Sequence, residues 1–213
     1  MRADPHDMAQ LSSSESPQHT PHPLSPQHPQ RLQRPQRPTG RFMVAHPARW
    51  LALGLGSGLS PKAPGTVGTL WAWASFLVLD PFLGPWGWAA LITLSCVVGV
   101  WACTRTAQHL GIVDPGAIVW DEIVAFWLIL WLVMPAGWWM QALAFALFRF
   151  FDAVKPGPVA WADRLFKARE GGAIGWKQGL GILLDDLVAA LCTLVVLALA
   201  VQSWPVAEAL WHG

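Results

Sequence analysis

Gly179-Leu-Gly-Ile-Leu-Leu-Asp-Asp-Leu-Val-Ala-Ala-Leu-Cys-Thr-Leu-Val-Val-Leu-Ala-Leu-Ala-Val-Gln-Ser203 is apolar over the length of about 20 residues that a bilayer-spanning helix needs. Yet two adjacent carboxylates, Asp185 and Asp186, lie about two turns inside it. A carboxylate at the centre of a membrane helix costs roughly 2.5–3.5 kcal/mol on insertion scales, and less near an end. The pair also repels itself. Such a stretch inserts only if its acids face a wet, protein-lined cleft.

Further apolar runs cover 67–83, 86–103, 117–134 and 135–151. The 117–134 run repeats the anomaly with Asp121 and Glu122, about a turn inside its start. The 135–151 run is short, so a tilted, re-entrant or interfacial helix is the alternative to a span. The expected fold is all-α: a polytopic membrane bundle of about five transmembrane helices, with four as the lower count. Composition agrees, with 54% apolar against 13% charged residues and 15 Trp, a skew that sharpens after the first fifty residues.

Those first residues read differently. Residues 1–48 are rich in Pro, Gln, His, Ser and Arg and show no hydrophobic period, so a disordered tail is expected there. The membrane domain is expected over 49–213. No apolar core of a secretory signal is visible at the N-terminus. Scattered histidines (His6, His19, His22, His28, His46) have no ligand spacing. A run of Arg31, Arg34, Arg37, Arg41 and Arg49 precedes the first span and suits an anionic cytoplasmic leaflet.

Basic residues then set orientation. With the N-terminus cytoplasmic, Lys62, Arg105 and the segment Arg149–Lys177 fall inside, whereas the turns near Pro81–Trp86 and Pro135–Trp138 carry no Lys or Arg. The same walk places Asp114, Asp121, Glu122, Asp152, Asp163, Glu170, Asp185 and Asp186 at cytoplasmic ends or loops.

Between tail and first span lies Gly54-Leu-Gly-Ser-Gly-Leu-Ser-Pro-Lys-Ala-Pro-Gly-Thr-Val-Gly-Thr69, with five glycines, four hydroxyls and one lysine. Glycines let backbone N–H groups approach a ligand closely, so the stretch suits a phosphate cradle; a flexible connector at the membrane surface is the plainer reading. Its spacing is not that of a Walker loop.

Two adjacent acid pairs at matching depth have two readings. Either they pair with Arg149, Lys155 or Arg164, or they share a divalent cation, for which oxygen ligands select Mg²⁺ or Mn²⁺ over zinc. Arg149 and Asp152 share a helix face at i,i+3, and Pro156 then ends the helix. Lys155 and Arg164 are candidates to hold a phosphate, with Arg149 orienting Asp152.

Several chemistries are excluded. A net charge of +1 without a basic–aromatic patch argues against nucleic acid. Cys96, Cys103 and Cys192 show neither CxxC nor Cys-x5-Arg spacing. No Asp-x-Asp-x-Thr or Asp-Gly-x-x-Ala-Arg motif occurs, and His109 is the only histidine between the glycine loop and the last span.

Four stretches in order resemble the phosphatidylglycerophosphatase A family: Gly56-Ser-Gly-Leu-Ser-Pro-Lys-Ala-Pro-Gly-Thr66, Ile118-Val-Trp-Asp-Glu122, Phe148-Arg-Phe-Phe-Asp152 with Lys155-Pro156, and Gly181-Ile-Leu-Leu-Asp-Asp186. One departure is a longer link between Asp163-Arg164 and Asp185, with Lys177 and Gln178 where the family carries His and Gly. The resemblance implies a Mg²⁺-dependent phosphatase of the bacterial inner membrane, multi-pass, with its active site facing the cytoplasm. Its substrate would be phosphatidylglycerophosphate. On that reading Asp121, Glu122, Asp185 and Asp186 bind the metal, and Ser57, Gly58, Ser60, Lys62 and Thr66, with Lys155 and Arg164, hold the phosphate. Asp152 is the candidate base, and an aspartyl-phosphate route stays open beside direct attack by water. Two other readings compete: a cation transporter using the same acids, and a phosphatase of phosphatidic acid or an isoprenyl phosphate. The sequence leaves oligomeric state open.

Overall fold

The helix Trp120–Val133 (α5) is buried over most of its length, with Ile123, Val124, Ala125, Phe126, Ile129 and Leu130 all withdrawn from the surface. A helix apolar all round belongs in the middle of a bundle or a bilayer. In the computed structural model, which describes residues 37–166 and 174–212 with side chains as far as Gln202, it does occupy the middle. Around it pack Pro64–Leu79 (α3), Pro85–Leu110 (α4), Trp138–Val154 (α6) and Trp176–His212 (α8). Every described element is helical, and no strand occurs among the described residues.

Each of the five apolar runs thus carries one helix, and proline sets several of the ends. Pro64 opens α3 at its first position, where a missing N–H costs nothing. Pro135 follows the end of α5, and Pro156 follows Lys155, which caps α6 in the left-handed region at φ +47°. The consequence is length. Among the described residues, only α4, with 26 residues, and α8, with 27 residues over Trp176–Gln202, meet the length and composition of a bilayer crossing by themselves. The other three, with 16, 14 and 17 residues, fall short of about 20.

Indole donors are satisfied inside this apolar packing. Trp120 Nε1 donates to the Ser95 carbonyl at 3.0 Å, and Trp127 Nε1 donates to the Ala72 carbonyl at 3.1 Å and to Ser75 Oγ at 3.0 Å. Trp88 stacks on Phe76 at 4.3 Å and donates to Asp80 Oδ1 at 3.0 Å. Each bond ties two helices together and avoids a buried unpaired N–H. The outside is apolar as well. Val78, Leu94, Val97, Leu132 and Leu199 are exposed, as are Trp86 and Trp139 at 88% and 90%. Apolar surface on this scale marks a lipid-facing or partner-facing exterior.

Three short helices were not evident from periodicity. Gly40–Val44 (α1) lies within the stretch expected to be a tail and Pro47–Ala52 (α2) runs across its end; they are capped by Thr39 and by His46 Nδ1, which accepts from the Ala48 N–H at 3.1 Å. Helical structure is therefore present before residue 48. Gly157–Leu165 (α7) lies against α8. Tail residues 1–36 and part of the longer link, 167–173, lie outside the described residues, whereas Lys177 and Gln178 fall in the first turn of α8.

Candidate active site

Where the glycine-rich stretch enters α3, its first turns meet the start of α5 and the last turns of α6. There Gly65 and Gly68 let the first turns of α3 lie directly on α5. A Cβ at Gly65 would overlap Glu122 Oε1 and come within 3.0 Å of Arg149 Nη1; one at Gly68 would come 2.8 Å from Val119 Cβ and 3.1 Å from Glu122 Oε2. Small residues one turn apart are what a close helix approach requires.

Glu122 of α5, Asp152 of α6 and Asp186 of α8 converge at this end, each offering an oxygen within 4.8 Å of the others. Arg149 Nη1 donates to Glu122 Oε1 at 3.0 Å and forms an ion pair with Asp152 Oδ2 at 2.6 Å. One guanidinium thus faces three carboxylates. Glu122 Oε2, Asp186 Oδ2 and the neighbouring Asp121 Oδ1 are buried without any hydrogen-bond partner, and Asp186 is only 3% exposed. Orphaned charged oxygens are rare in a stable interior and call for a cation or ordered water. An all-oxygen, mostly carboxylate donor set fits a hard divalent ion such as Mg²⁺.

Asp185, although adjacent to Asp186, joins a second group. Consecutive helical residues point about 100° apart, so the two side chains cannot address one neighbour. Lys155 Nζ donates to Asp185 Oδ2 and, at 2.8 Å, to Asp163 Oδ1. Burial opposes the Lys155 charge, but the hydrogen bonds and charges of Asp163 and Asp185 outweigh it and raise the ammonium above its ordinary value of 10.5. Asp185 Oδ1 has no partner.

The glycine-rich stretch folds as a 3₁₀ segment over Gly54–Leu59 with φ +54° at Gly54, +55° at Leu55 and +111° at Gly56. Ser57 Oγ donates to the Gly54 carbonyl at 2.9 Å and Ser60 Oγ to the Lys62 carbonyl at 2.8 Å, so both hydroxyls brace their own loop. Gly58 packs on the Ala117 carbonyl with no room for a side chain. Lys62 is exposed, and Thr66 is half-buried in the first turn of α3. In that turn the N–H groups of Gly65 and Thr66 fall among those a helix leaves without an internal partner. Arg164 is exposed on α7, with Nε donating to the Ala160 carbonyl at 3.1 Å.

The acids expected from sequence therefore divide: Glu122, Asp152 and Asp186 share one cluster, with Asp121 beside it, and Asp185 sits with Lys155. Gly65, Gly68 and Asp163 were not among the expected site residues. The Gly-x-x-Gly spacing at 65 and 68 was the available signal for the first two.

The phosphatidylglycerophosphatase A family model matches residues 50–201. The chain is 36% identical over 165 residues to phosphatidylglycerophosphatase A of Escherichia coli, covering 78% of this chain and 90% of that protein. It is 34% identical over 164 residues to the protein of the same name from Haemophilus influenzae, covering 77% and 94%. It is also similar to a putative phosphatidylinositol-3-phosphatase of Bacteroides thetaiotaomicron, 36% identical over 156 residues, covering 70% and 91%. No solved structure matches the chain.

Proposed function

The chain belongs to the phosphatidylglycerophosphatase A family, and from that premise we propose that it hydrolyses the terminal phosphate of phosphatidylglycerophosphate. The products are phosphatidylglycerol and inorganic phosphate, and the reaction depends on Mg²⁺. The observation that carries this reading is the convergence of Glu122, Asp152 and Asp186 with orphaned oxygens beside the glycine-rich start of α3.

Glu122 and Asp186, with Asp121 next to them, would hold Mg²⁺. When bound, the ion supplies positive charge against the phosphoryl oxygens and makes water more acidic. Arg149 fixes Glu122 and Asp152 in place and leaves the other Asp152 oxygen to take the proton from attacking water. Lys62, the Thr66 hydroxyl and the Gly65 and Thr66 N–H groups would hold the phosphate, aided by the positive end of α3. Ser57, Gly58 and Ser60 shape the loop that delivers them. Lys155 acts indirectly, by positioning Asp185.

The same reading makes α3, α4, α5, α6 and α8 five crossings of a bacterial inner membrane, with the N-terminus and the site cytoplasmic. Lys62, Arg105, Arg149, Lys155 and Lys177 lie at or near the site ends of these helices, and the connectors at the opposite ends carry no Lys or Arg. At 14 residues α5 spans roughly 21 Å. Its short length is accommodated by the neighbours that enclose it and by local thinning.

The name of the Bacteroides relative favours one second reading, a different lipid phosphomonoester as substrate. Phosphate release by the purified protein with phosphatidylglycerophosphate, phosphatidylinositol 3-phosphate and phosphatidic acid, with and without Mg²⁺, tests both. Mg²⁺-dependent release from the first alone supports the proposal. Release mainly from the second transfers the same chemistry to another headgroup, and release from none refutes the phosphatase assignment.

A further inference from the structure

We propose that His46, Arg49, Arg105 and His109 form a docking site for the headgroup of an anionic phospholipid of the cytoplasmic leaflet. The inference rests on the membrane placement given above and not on the phosphatase chemistry. Along α4, Leu94, Val97, Trp101, Arg105 and His109 recur every three or four residues and are all exposed, so they form one outward stripe. The stripe passes from aliphatic to tryptophan to basic. That order matches hydrocarbon, interface and headgroup along a crossing helix.

The helix α2 and the residue that caps it bring two more basic side chains to the end of this stripe. Arg49 Nε donates to His109 Nδ1 at 3.1 Å, and the His46 and His109 rings meet edge-on with centres 5.1 Å apart. The His46 ring also lies 6.2 Å from that of Trp101, centre to centre. His46 Nδ1 accepts the Ala48 N–H and His109 Nδ1 accepts from Arg49, so each neutral ring carries its proton on Nε2. Both imidazoles are thereby left as donors. Arg49 is fixed further by the Phe42 carbonyl at 3.1 Å and by the Phe42 ring at 4.0 Å. None of the ion pairs among the described residues involves any of the four basic groups. Two guanidinium charges and two N–H donors, with no carboxylate among these pairs, suit an anion and oppose a cation. The aliphatic part of the stripe favours a lipid over free phosphate, since acyl chains can lie along Leu94 and Val97.

Lipid retention tests the site without recourse to turnover. Full-length protein in detergent is incubated with equal amounts of phosphatidylserine and phosphatidylcholine, and the lipids that stay bound are counted by native mass spectrometry. Preferential retention of phosphatidylserine is expected, undisturbed by inorganic phosphate at constant ionic strength. Arg105→Gln, a change at an exposed residue, weakens that retention by about fivefold, and His109→Gln weakens it as well. Lys177→Gln, at the start of α8, has no such effect, and Glu122→Gln retains the lipid as the wild type does. Equal losses in Lys177→Gln and Arg105→Gln make the attraction a diffuse surface effect and overturn the site. Loss in Glu122→Gln with none in Arg105→Gln puts the lipid at the acidic cluster, which overturns the site and leaves the catalytic proposal standing. Displacement by inorganic phosphate overturns the lipid as occupant, and an absence of preference for phosphatidylserine overturns the site.

Discussion

Replacing Gly65 by Ala adds one methyl group at the contact between the glycine-rich stretch and the acidic cluster. The new Cβ would lie 2.8 Å from Glu122 Cδ, overlap its Oε1 and sit 3.0 Å from Arg149 Nη1. Ordinary contact begins at 3.4 Å, so Cδ must retreat by at least 0.6 Å, the difference between 3.4 and 2.8 Å. The α3 backbone cannot yield easily, because a Cβ at Gly68 one turn later would already come 2.8 Å from Val119 Cβ. Glu122 and Arg149, bonded at 3.0 Å, must therefore move together, away from Asp152 and Asp186. Overpacking of this kind costs about 1–3 kcal/mol of stability, and a misplacement approaching 1 Å at a reacting centre costs about 100-fold in rate. The expected result is a folded protein whose phosphate release falls by about two orders of magnitude. Gly84→Ala is the control, since nothing lies within 4 Å of a Cβ there. The assay is turnover at saturating Mg²⁺ alongside thermal unfolding. Wild-type turnover in Gly65→Ala would refute the claim that this contact builds the site.

Two further changes separate the site from the scaffold. Lys155→Met leaves Asp163 and Asp185 without their shared cation; because Lys155 is 29% exposed, the loss is set at about 1–3 kcal/mol rather than the larger figure for a fully buried pair. Since the folded ammonium titrates above its ordinary 10.5, Lys155 is charged in both states from pH 7 to pH 9, and on the alkaline side that stabilisation fades only as pH climbs through 10.5 toward the raised value. Unfolding of wild type and variant at pH 7 and pH 9 should thus differ by the same amount. At the far end of α6, Gln141→Leu removes the acceptor of Trp73 Nε1 at 2.7 Å and the donor to the Ala136 carbonyl at 2.8 Å. It should cost about 1–3 kcal/mol in unfolding measurements and leave the turnover of folded protein unchanged.

Apolar run length located all five large helices, because a membrane-like helix is a one-dimensional signal in the sequence. Their true ends came from prolines and left-handed caps, which is why α3, α5 and α6 are shorter than a full span. The three short helices α1, α2 and α7 carry no run long enough to register. The carboxylates stood out in the sequence too, as acids inside apolar runs need a reason to be there. Their grouping did not. Adjacency in sequence suggested that each pair acts as a unit, whereas helical geometry turns its members apart, so Glu122 and Asp186 meet Asp152 across three helices and Asp185 meets Lys155. The role of Gly65 depends on which helix lies opposite, information that exists only after packing.

The central claim is that the Glu122–Asp152–Asp186 cluster carries Mg²⁺-dependent removal of phosphate from a lipid. Its most direct test is phosphate release from phosphatidylglycerophosphate by wild-type and Asp186→Asn protein over a Mg²⁺ titration. Wild type should release phosphate only with Mg²⁺, and the variant should be slower by about 100-fold or more at every Mg²⁺ concentration. A variant with wild-type turnover and an unchanged Mg²⁺ response would contradict it.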